Sequence, residues 1–281
     1  MIIPRHWACA KGETRGSGSK ILTLSAWGWS EKNQSEAESH ARERLRTLLA
    51  KVERGEALAH DYAYGSQPVR EQVIDEVRNA TNDIVGLVTR NVYGCLVLNA
   101  GEAMFLDIDV PRPSFMERVR RFFNKKKPDS ETIALSRLRE TLTGIRGASF
   151  RIYRTAAGFR VLATDRTFLP GDPEVERIMV SASVDPAYSR LCKIQKSFRA
   201  RLTPKPWRCG RTRPPCRFPF VSSGQEQAFR QWLEEYDRAI ETRATCRFVE
   251  RIGWDRVHEE VAPILALHDK LTRITSELPL A

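Results

Sequence analysis

The stretch that decides the fold is "SFRIYRTAAGFRVLATD", residues 149–165. Two arms of alternating apolar and polar residues flank "TAAG", and Gly158 can adopt the positive φ that a tight turn needs. This pattern predicts a β-hairpin, and hairpins build antiparallel sheets. A second turn, "NAGEA" at residues 99–103, is predicted to join the strand "YGCLVL" to the strand "MFLDIDV".

Helical periodicity covers much of the remaining chain. Apolar residues recur at intervals of three and four after Ser30, in "SQPVREQVIDEVRNA" (residues 66–80) and in "SETIALSRLRETL" (residues 130–142), and each of these patterns predicts a helix. The sequence therefore predicts one α+β domain over residues 20–281, with helices packed on a mainly antiparallel sheet. Residues 1–19 are expected to form a flexible lead-in, and residues 111–130 a basic loop.

Composition places this chain among ordinary globular proteins. Its 281 residues are 41% hydrophobic and 29% charged. No apolar run approaches the roughly 18 residues that span a bilayer, so no membrane association is expected. Arg5 and His6 interrupt the few apolar residues at the N-terminus, which therefore does not resemble a signal peptide. We expect a cytoplasmic protein.

Positive charge is concentrated in one segment. The formal net charge is +11, and no acidic residue occurs between Asp185 and Glu226. Ten cationic residues lie in that interval: Arg190, Lys193, Lys196, Arg199, Arg201, Lys205, Arg208, Arg211, Arg213 and Arg217. A block of this kind is a candidate binding surface for a polyanion.

Aromatic residues are interleaved with these charges, and prolines on both sides of Lys205 stiffen the chain in "TPKPW". Cations alternating with aromatic rings are typical of a surface that binds phosphates and stacks bases. We therefore predict that DNA or RNA is the partner. The predicted contacts are Arg199, Arg201, Lys205, Trp207 and Arg208. The alternatives are a solvated basic face without a ligand and a core position for Trp207.

Two carboxylates interrupt the apolar strand "MFLDIDV", residues 104–110. Because side chains alternate along a strand, Asp107 and Asp109 share one face, about 6.5–7 Å apart. Their mutual repulsion is relieved by a nearby cation. Oxygen ligands on a rigid strand suit Mg²⁺ or Mn²⁺, so the pair is a candidate metal site. The alternative is a structural pair neutralised by arginines or by solvent.

The hhDhD strand, the later hairpin with a T-x-x-G-x-R turn and a further acidic residue together resemble the archaeo-eukaryotic primase-polymerase superfamily. The resemblance implies an RRM-like core in which Asp107 and Asp109 bind the catalytic metal. The second motif of that family ends in a histidine that contacts the incoming nucleotide, and Arg160 stands nearest to that place. Asp165 and Glu250 are the candidates for the family's third acidic residue.

Two hypotheses of different classes follow. The first is a metal-dependent nucleotidyl or phosphoryl transferase acting on nucleic acid, with Asp107, Asp109 and Arg160 as catalytic residues. The second is a non-catalytic nucleic-acid-binding protein in which the aspartates are structural. The segments "FRIYRTAAGFRVLATD" and "SFRARLTPKPWRCG" also resemble parts of a bacterial family of uncharacterised proteins, a similarity that adds no chemistry.

Overall fold

The computed structural model describes residues 1–15, 21–56, 68–110 and 129–281. In this part of the chain the strands are β1 (His6–Arg15), β2 (Ile21–Ser30), β3 (Gln72–Arg78), β4 (Ile84–Arg90), β5 (Leu96–Ala100), β6 (Phe105–Asp109), β7 (Phe150–Thr155), β8 (Gly158–Ala163), β9 (Phe198–Arg201) and β10 (Cys246–Ile252). The helices are α1 (Gln34–Glu53), α2 (Ser130–Thr143), α3 (Pro173–Ser181), α4 (Pro186–Gln195), α5 (Ser223–Ile240) and α6 (Ala262–Thr272). A 3₁₀ turn covers Pro206–Arg208. The predicted α+β class with antiparallel sheets is confirmed.

One four-stranded antiparallel sheet has the strand order β10-β7-β8-β6. We call it the aspartate sheet, and β6 the aspartate strand, because β6 carries Asp107 and Asp109. The hairpin predicted over residues 149–165 is present as β7 and β8. β8 also pairs with β6, and this register sets Asp107 opposite Arg160. At Gly158 the backbone of β8 lies close to that of β6, since an added Cβ would stand 2.1 Å from the Ile108 carbonyl oxygen. Glycine is therefore required there by contact with β6.

A second four-stranded antiparallel sheet has the order β3-β4-β5-β9. The "NAGEA" turn connects β5 to β6, which belong to different sheets, so it does not form the hairpin that would support an antiparallel pair. The edge strands β6 and β9 are instead linked by Tyr188 of α4. Its hydroxyl lies 3.0 Å from the Phe105 carbonyl oxygen and 2.9 Å from that of Arg199. This link holds the chain after β9 beside the aspartate strand.

Both four-stranded sheets contribute to one hydrophobic core. Leu98 and Phe198 from one sheet and Phe105 and Val161 from the other belong to the same buried cluster. Helix α2 covers one face of the aspartate sheet with Leu138 and Leu142, which are also part of this cluster. Because Phe105, Leu106 and Ile108 of β6 are buried in this core, the strand is a rigid support for Asp107 and Asp109.

Strands β1 and β2 form a separate antiparallel pair covered by α1. The helix lies directly on Gly28, where a Cβ would stand 2.2 Å from the Ala41 backbone nitrogen. Ala37 and Ala41 are buried in this contact. The prediction of a flexible lead-in over residues 1–19 is therefore wrong for His6–Arg15, which pair with β2 along their whole length. Residues 16–20 lie outside the described part.

The helix predicted over residues 66–80 is also wrong, because Gln72–Arg78 form β3. The register between β3 and β4 shifts at Val73/Asp75 and again at Val77/Arg78. Such bulges break strict alternation, so the apolar residues of this strand acquire a spacing that resembles a helix. Most of the predicted basic loop, residues 111–128, lies outside the described residues. Within the described ranges, no helix is both long and apolar enough to cross a membrane.

Candidate functional site

A cleft of about 530 Å³ opens where β6 meets the chain that follows β9. Three parts of the sequence supply its charged lining. Strand β6 contributes Asp107 and Asp109, the β7–β8 hairpin contributes Arg160, and the segment after β9 contributes cationic side chains. Those cations are Arg201, Lys205 and Arg208. The fold thus brings the aspartate pair and most of the predicted nucleic-acid contacts into one cavity.

The two aspartates face the cleft rather than the core. Leu106 and Ile108, their neighbours along β6, are 0% and 8% exposed. In contrast, 45% of the Asp107 side chain is exposed, and Asp109 is an exposed residue. A strand flanked by buried residues therefore holds both carboxylates at fixed positions where a dissolved ion or phosphate can reach them.

Arg160 lies beneath Asp107 at the floor of the cleft. Its Nε donates to Oδ1 of Asp107 at 3.0 Å, and one Nη donates to the Arg201 carbonyl at 2.8 Å. Only 1% of its side chain is exposed. Burial by itself lowers the pKa of this guanidinium, but the Asp107 carboxylate reverses the effect, and the resulting pKa lies above the usual value. Arg160 is therefore charged, and it positions Asp107. This corrects the expectation that it contacts a nucleotide directly.

Two buried polar side chains next to Arg160, Cys246 and His268, carry no signal in the sequence. The Arg160 guanidinium is 3.6 Å from the Cys246 sulfur, which is 4.0 Å from Nε2 of His268. The other ring nitrogen of His268 is 2.9 Å from Asp269. Burial lowers the pKa of His268 to about 4 and raises the pKa of the Cys246 thiol. Both groups are neutral near pH 7, so neither acts as a charged ligand or a thiolate nucleophile.

Neither proposed third acid reaches the aspartate pair. Asp165 follows the far end of β8 and accepts hydrogen bonds from the backbone nitrogen and hydroxyl of Ser149 at 2.7 and 2.9 Å. Glu250 lies on the opposite edge strand, where it pairs with Arg139 of α2. Among the residues that the structure describes, no cluster of three or more acidic, histidine or cysteine side chains could hold a metal ion.

The donor set that remains still fits magnesium or manganese. Mg²⁺ keeps several water ligands and is commonly held by one or two carboxylates together with phosphate oxygens of the substrate. Asp107 and Asp109 supply two such carboxylates at an accessible cleft. The pair does not form a closed cage, so an ion held there would take its remaining ligands from water or from a substrate.

The cations that line one side of the cleft lie close enough together to repel one another; this cationic wall consists of Arg201, Lys205 and Arg208. Burial lowers the pKa of Lys205, and the charges of Arg201 and Arg208 lower it further. Asp109 acts in the opposite direction. The wall is also fixed in place, because the Tyr236 hydroxyl donates to the Pro204 carbonyl at 2.6 Å. A bound anion would relieve the repulsion among these cations, so the wall favours an anionic ligand.

Arg199 is the one predicted nucleic-acid contact that the structure withdraws from the surface. It forms a buried ion pair with Glu71 at 2.7 Å, with side chains that are 10% and 4% exposed. Its guanidinium also donates to Asn99 at 2.6 Å and to Gln195 at 2.7 Å. The prediction that Arg199 contacts a nucleic acid is therefore wrong. Arg201, two residues further along the chain, lines the cleft instead.

Trp207 lies beside the cleft with 45% of its surface exposed, so the alternative of a core position is excluded. Pro204 and Pro206, on either side of Lys205, are buried.

Compared with known protein families, curated proteins and solved structures, the chain matches none. The cleft is thus defined by its own chemistry: a carboxylate pair on a rigid strand facing a wall of cations.

Proposed function

We propose that this chain is a nucleic-acid-associated, metal-dependent nucleotidyl or phosphoryl transferase. The observation that carries the proposal is the shared cleft, in which Asp107 and Asp109 face the cationic segment around Lys205. A site with both signs of charge suits a divalent ion on the carboxylates and a phosphodiester between the ion and the cations. The likeness of the aspartate strand and hairpin to primase-polymerases favours the nucleotidyl branch of this proposal.

The proposed mechanism depends on position and charge. A divalent ion at this site would neutralise the phosphate charge during transfer. Asp107 and Asp109 would hold that ion, and Arg160 fixes the orientation of Asp107 by donating to Oδ1. Arg201 and Lys205 hold phosphate oxygens and stabilise the charge that develops during transfer.

A second function is favoured by one specific observation. Asp107 already forms an ion pair with Arg160. Among the described residues, no third acidic side chain joins Asp107 and Asp109 in a metal-binding group. In a non-catalytic nucleic-acid-binding protein, this pair would simply position the cationic wall through the Arg160 hydrogen bond to the Arg201 carbonyl. The same cations would bind the same polyanion, without chemistry.

The test uses Asp109→Asn, because the Asp107→Asn change also removes the ion-pair partner of a buried arginine. Asp255→Asn is the matched control, since the Asp255 side chain is 78% exposed and does not line the cleft. Mn²⁺ binding is measured by calorimetry. End-labelled single-stranded DNA and RNA are incubated with Mg²⁺ or Mn²⁺, with and without nucleoside triphosphates, and analysed for longer or shorter products.

We expect heats of Mn²⁺ binding and metal-dependent products from the wild type and from Asp255→Asn, and neither from Asp109→Asn. If all three proteins bind the oligonucleotides equally and none shows Mn²⁺ heat or products, the non-catalytic function replaces the first. Absence of binding to both DNA and RNA at low salt would contradict both functions.

A further inference from the structure

An exposed aromatic ring adjoins the cationic wall of the cleft. The ring centroids of Trp207 and Tyr93 are 5.3 Å apart with the planes nearly perpendicular, at 88°. The Arg213 guanidinium is 5.5 Å from each of these two rings. Lys205, which lines the cleft, places its ammonium 5.6 Å from the Trp207 ring. Trp207 is therefore surrounded by one aromatic edge contact and two cations, while 45% of it remains in solvent.

Both rings are held by turns with many hydrogen bonds. Tyr93 lies in the turn between β4 and β5, where the Asn91 side chain accepts from the backbone nitrogens of Tyr93 and Cys95 at 2.9 and 3.1 Å. Trp207 lies in the 3₁₀ turn, whose Pro206 carbonyl accepts from the nitrogens of Cys209 and Arg211. The orientation of the exposed ring is thus set before any ligand arrives, which lowers the entropic cost of stacking on it.

Single exposed apolar residues are common on protein surfaces and need no ligand. Two features distinguish Trp207 from such a residue. Its ring is bordered by cations in a segment without acidic residues, and one of those cations, Lys205, is shared with the cleft. An aromatic face beside a phosphate-binding lysine matches the two parts of a nucleotide, the base and its phosphate.

We propose that Tyr93, Trp207 and Arg213 form a stacking site for one unpaired base of a single-stranded nucleic acid, with the adjoining phosphate at Lys205. This inference rests on the proposed function, since it takes the strand in the cleft as its ligand. Stacking requires an accessible base face. In a duplex each base face is covered by its neighbours, so the site selects single strands or unpaired ends over paired ones. Every base has such a face, so the site tolerates all sequences.

The proposal is tested by fluorescence anisotropy with two labelled strands of equal length, one normal and one in which abasic nucleotides replace the central bases. Both strands carry the same phosphates, so their affinity ratio measures the contribution of the bases. The variants are Trp207→Ala, Trp207→Phe and the control Trp254→Ala, whose tryptophan is 77% exposed and lies outside the cleft. A thermal melt of each variant verifies that it is folded.

We expect the wild type and Trp254→Ala to bind the normal strand about 5- to 150-fold more tightly than the abasic strand. Trp207→Ala should bring this ratio close to one without changing the affinity for the abasic strand, and Trp207→Phe should retain part of the preference. Equal wild-type affinities for the two strands, or an unchanged ratio in Trp207→Ala, overturn the stacking site. In that case salt-dependent binding of the abasic strand would still support the proposed function. No binding of either strand overturns both.

Discussion

Arg160 donates its Nε to Oδ1 of Asp107 at 3.0 Å, and of the two side chains only the carboxylate reaches solvent. The pair joins directly opposed positions of two adjacent strands. The guanidinium compensates the charge of a carboxylate in the cleft, and the carboxylate compensates the charge of a buried guanidinium. The proposed function and the stability of the fold therefore depend on the same contact.

Asp107→Asn is expected to lower the free energy of unfolding by about 3 kcal/mol in metal-free buffer, because it leaves Arg160 charged and buried without its partner. This value lies at the lower end of the range for breaking a buried pair, since Asp107 itself is half-exposed. Asp109→Asn, at an exposed position, is expected to change stability by no more than about 0.5 kcal/mol. Urea unfolding of both variants measures the difference. Equal stabilities would show that the pair contributes little to folding.

The cationic wall makes a prediction about salt. Arg201→Ser and Lys205→Ser should each reduce the slope of log K against log salt for a single strand by about 0.7, because each removes one phosphate contact. Lys193→Ser is the control, since Lys193 pairs with Glu176 away from the cleft. Filter binding at several salt concentrations gives the slopes. A Lys193 effect as large as the other two would indicate diffuse attraction by net charge.

Local patterns explain which parts of this fold are predictable from sequence. The β7–β8 hairpin is encoded by adjacent residues, so its alternation and turn are sufficient to predict it. Strand β3 has the apolar spacing of a helix because two bulges disrupt its alternation. The "NAGEA" turn was recognised, but which sheet each flanking strand joins depends on partners far along the chain, β8 and β9.

The site shows the same limit. The shared face of Asp107 and Asp109 follows from strand geometry alone. The burial of Arg199 does not, because it depends on Glu71, which is 128 residues away in sequence. Likewise, no local signal marks His268 as the residue behind Arg160, since an isolated histidine in a helix has no distinctive pattern. Charge density located the cationic segment, but only the fold separates its structural arginines from those in the cleft.

The Arg199–Glu71 pair is expected to be structural. Arg199→Met should destabilise the protein by about 3–5 kcal/mol, because it leaves the Glu71 carboxylate buried without a cation. Adding Glu71→Leu should recover part of that loss, because it removes the unpaired carboxylate. The rest of the loss remains, since Asn99 and Gln195 still lack the guanidinium that donates to them. Unfolding curves of the single and double variants, with the salt slope of strand binding measured in parallel, provide the test. A reduced salt slope in the folded double variant would return Arg199 to the binding surface.

The buried His268 predicts a loss of stability in mild acid. Burial, assisted by the charge of Arg160, lowers the pKa of His268 to about 4 in the folded protein, whereas an unfolded histidine has a pKa of about 6.5. Between these values the unfolded chain binds a proton that the folded chain does not, so stability falls as the pH decreases. The stabilisation that comes from keeping His268 neutral is fully present above pH 6.5. About 3 kcal/mol of it is expected to be lost between pH 6.5 and pH 4.

His268→Asn is designed to keep the hydrogen bond to Asp269 while removing this titration. It should be less stable than the wild type at pH 8, because it leaves a cavity, but its stability should vary less between pH 6.5 and pH 4. His40→Asn is the matched control, since His40 is exposed on α1. Its stability should follow the wild-type pH dependence. Urea midpoints across this pH range decide the matter, and a His268→Asn variant as acid-sensitive as the wild type would assign the acid loss to other groups.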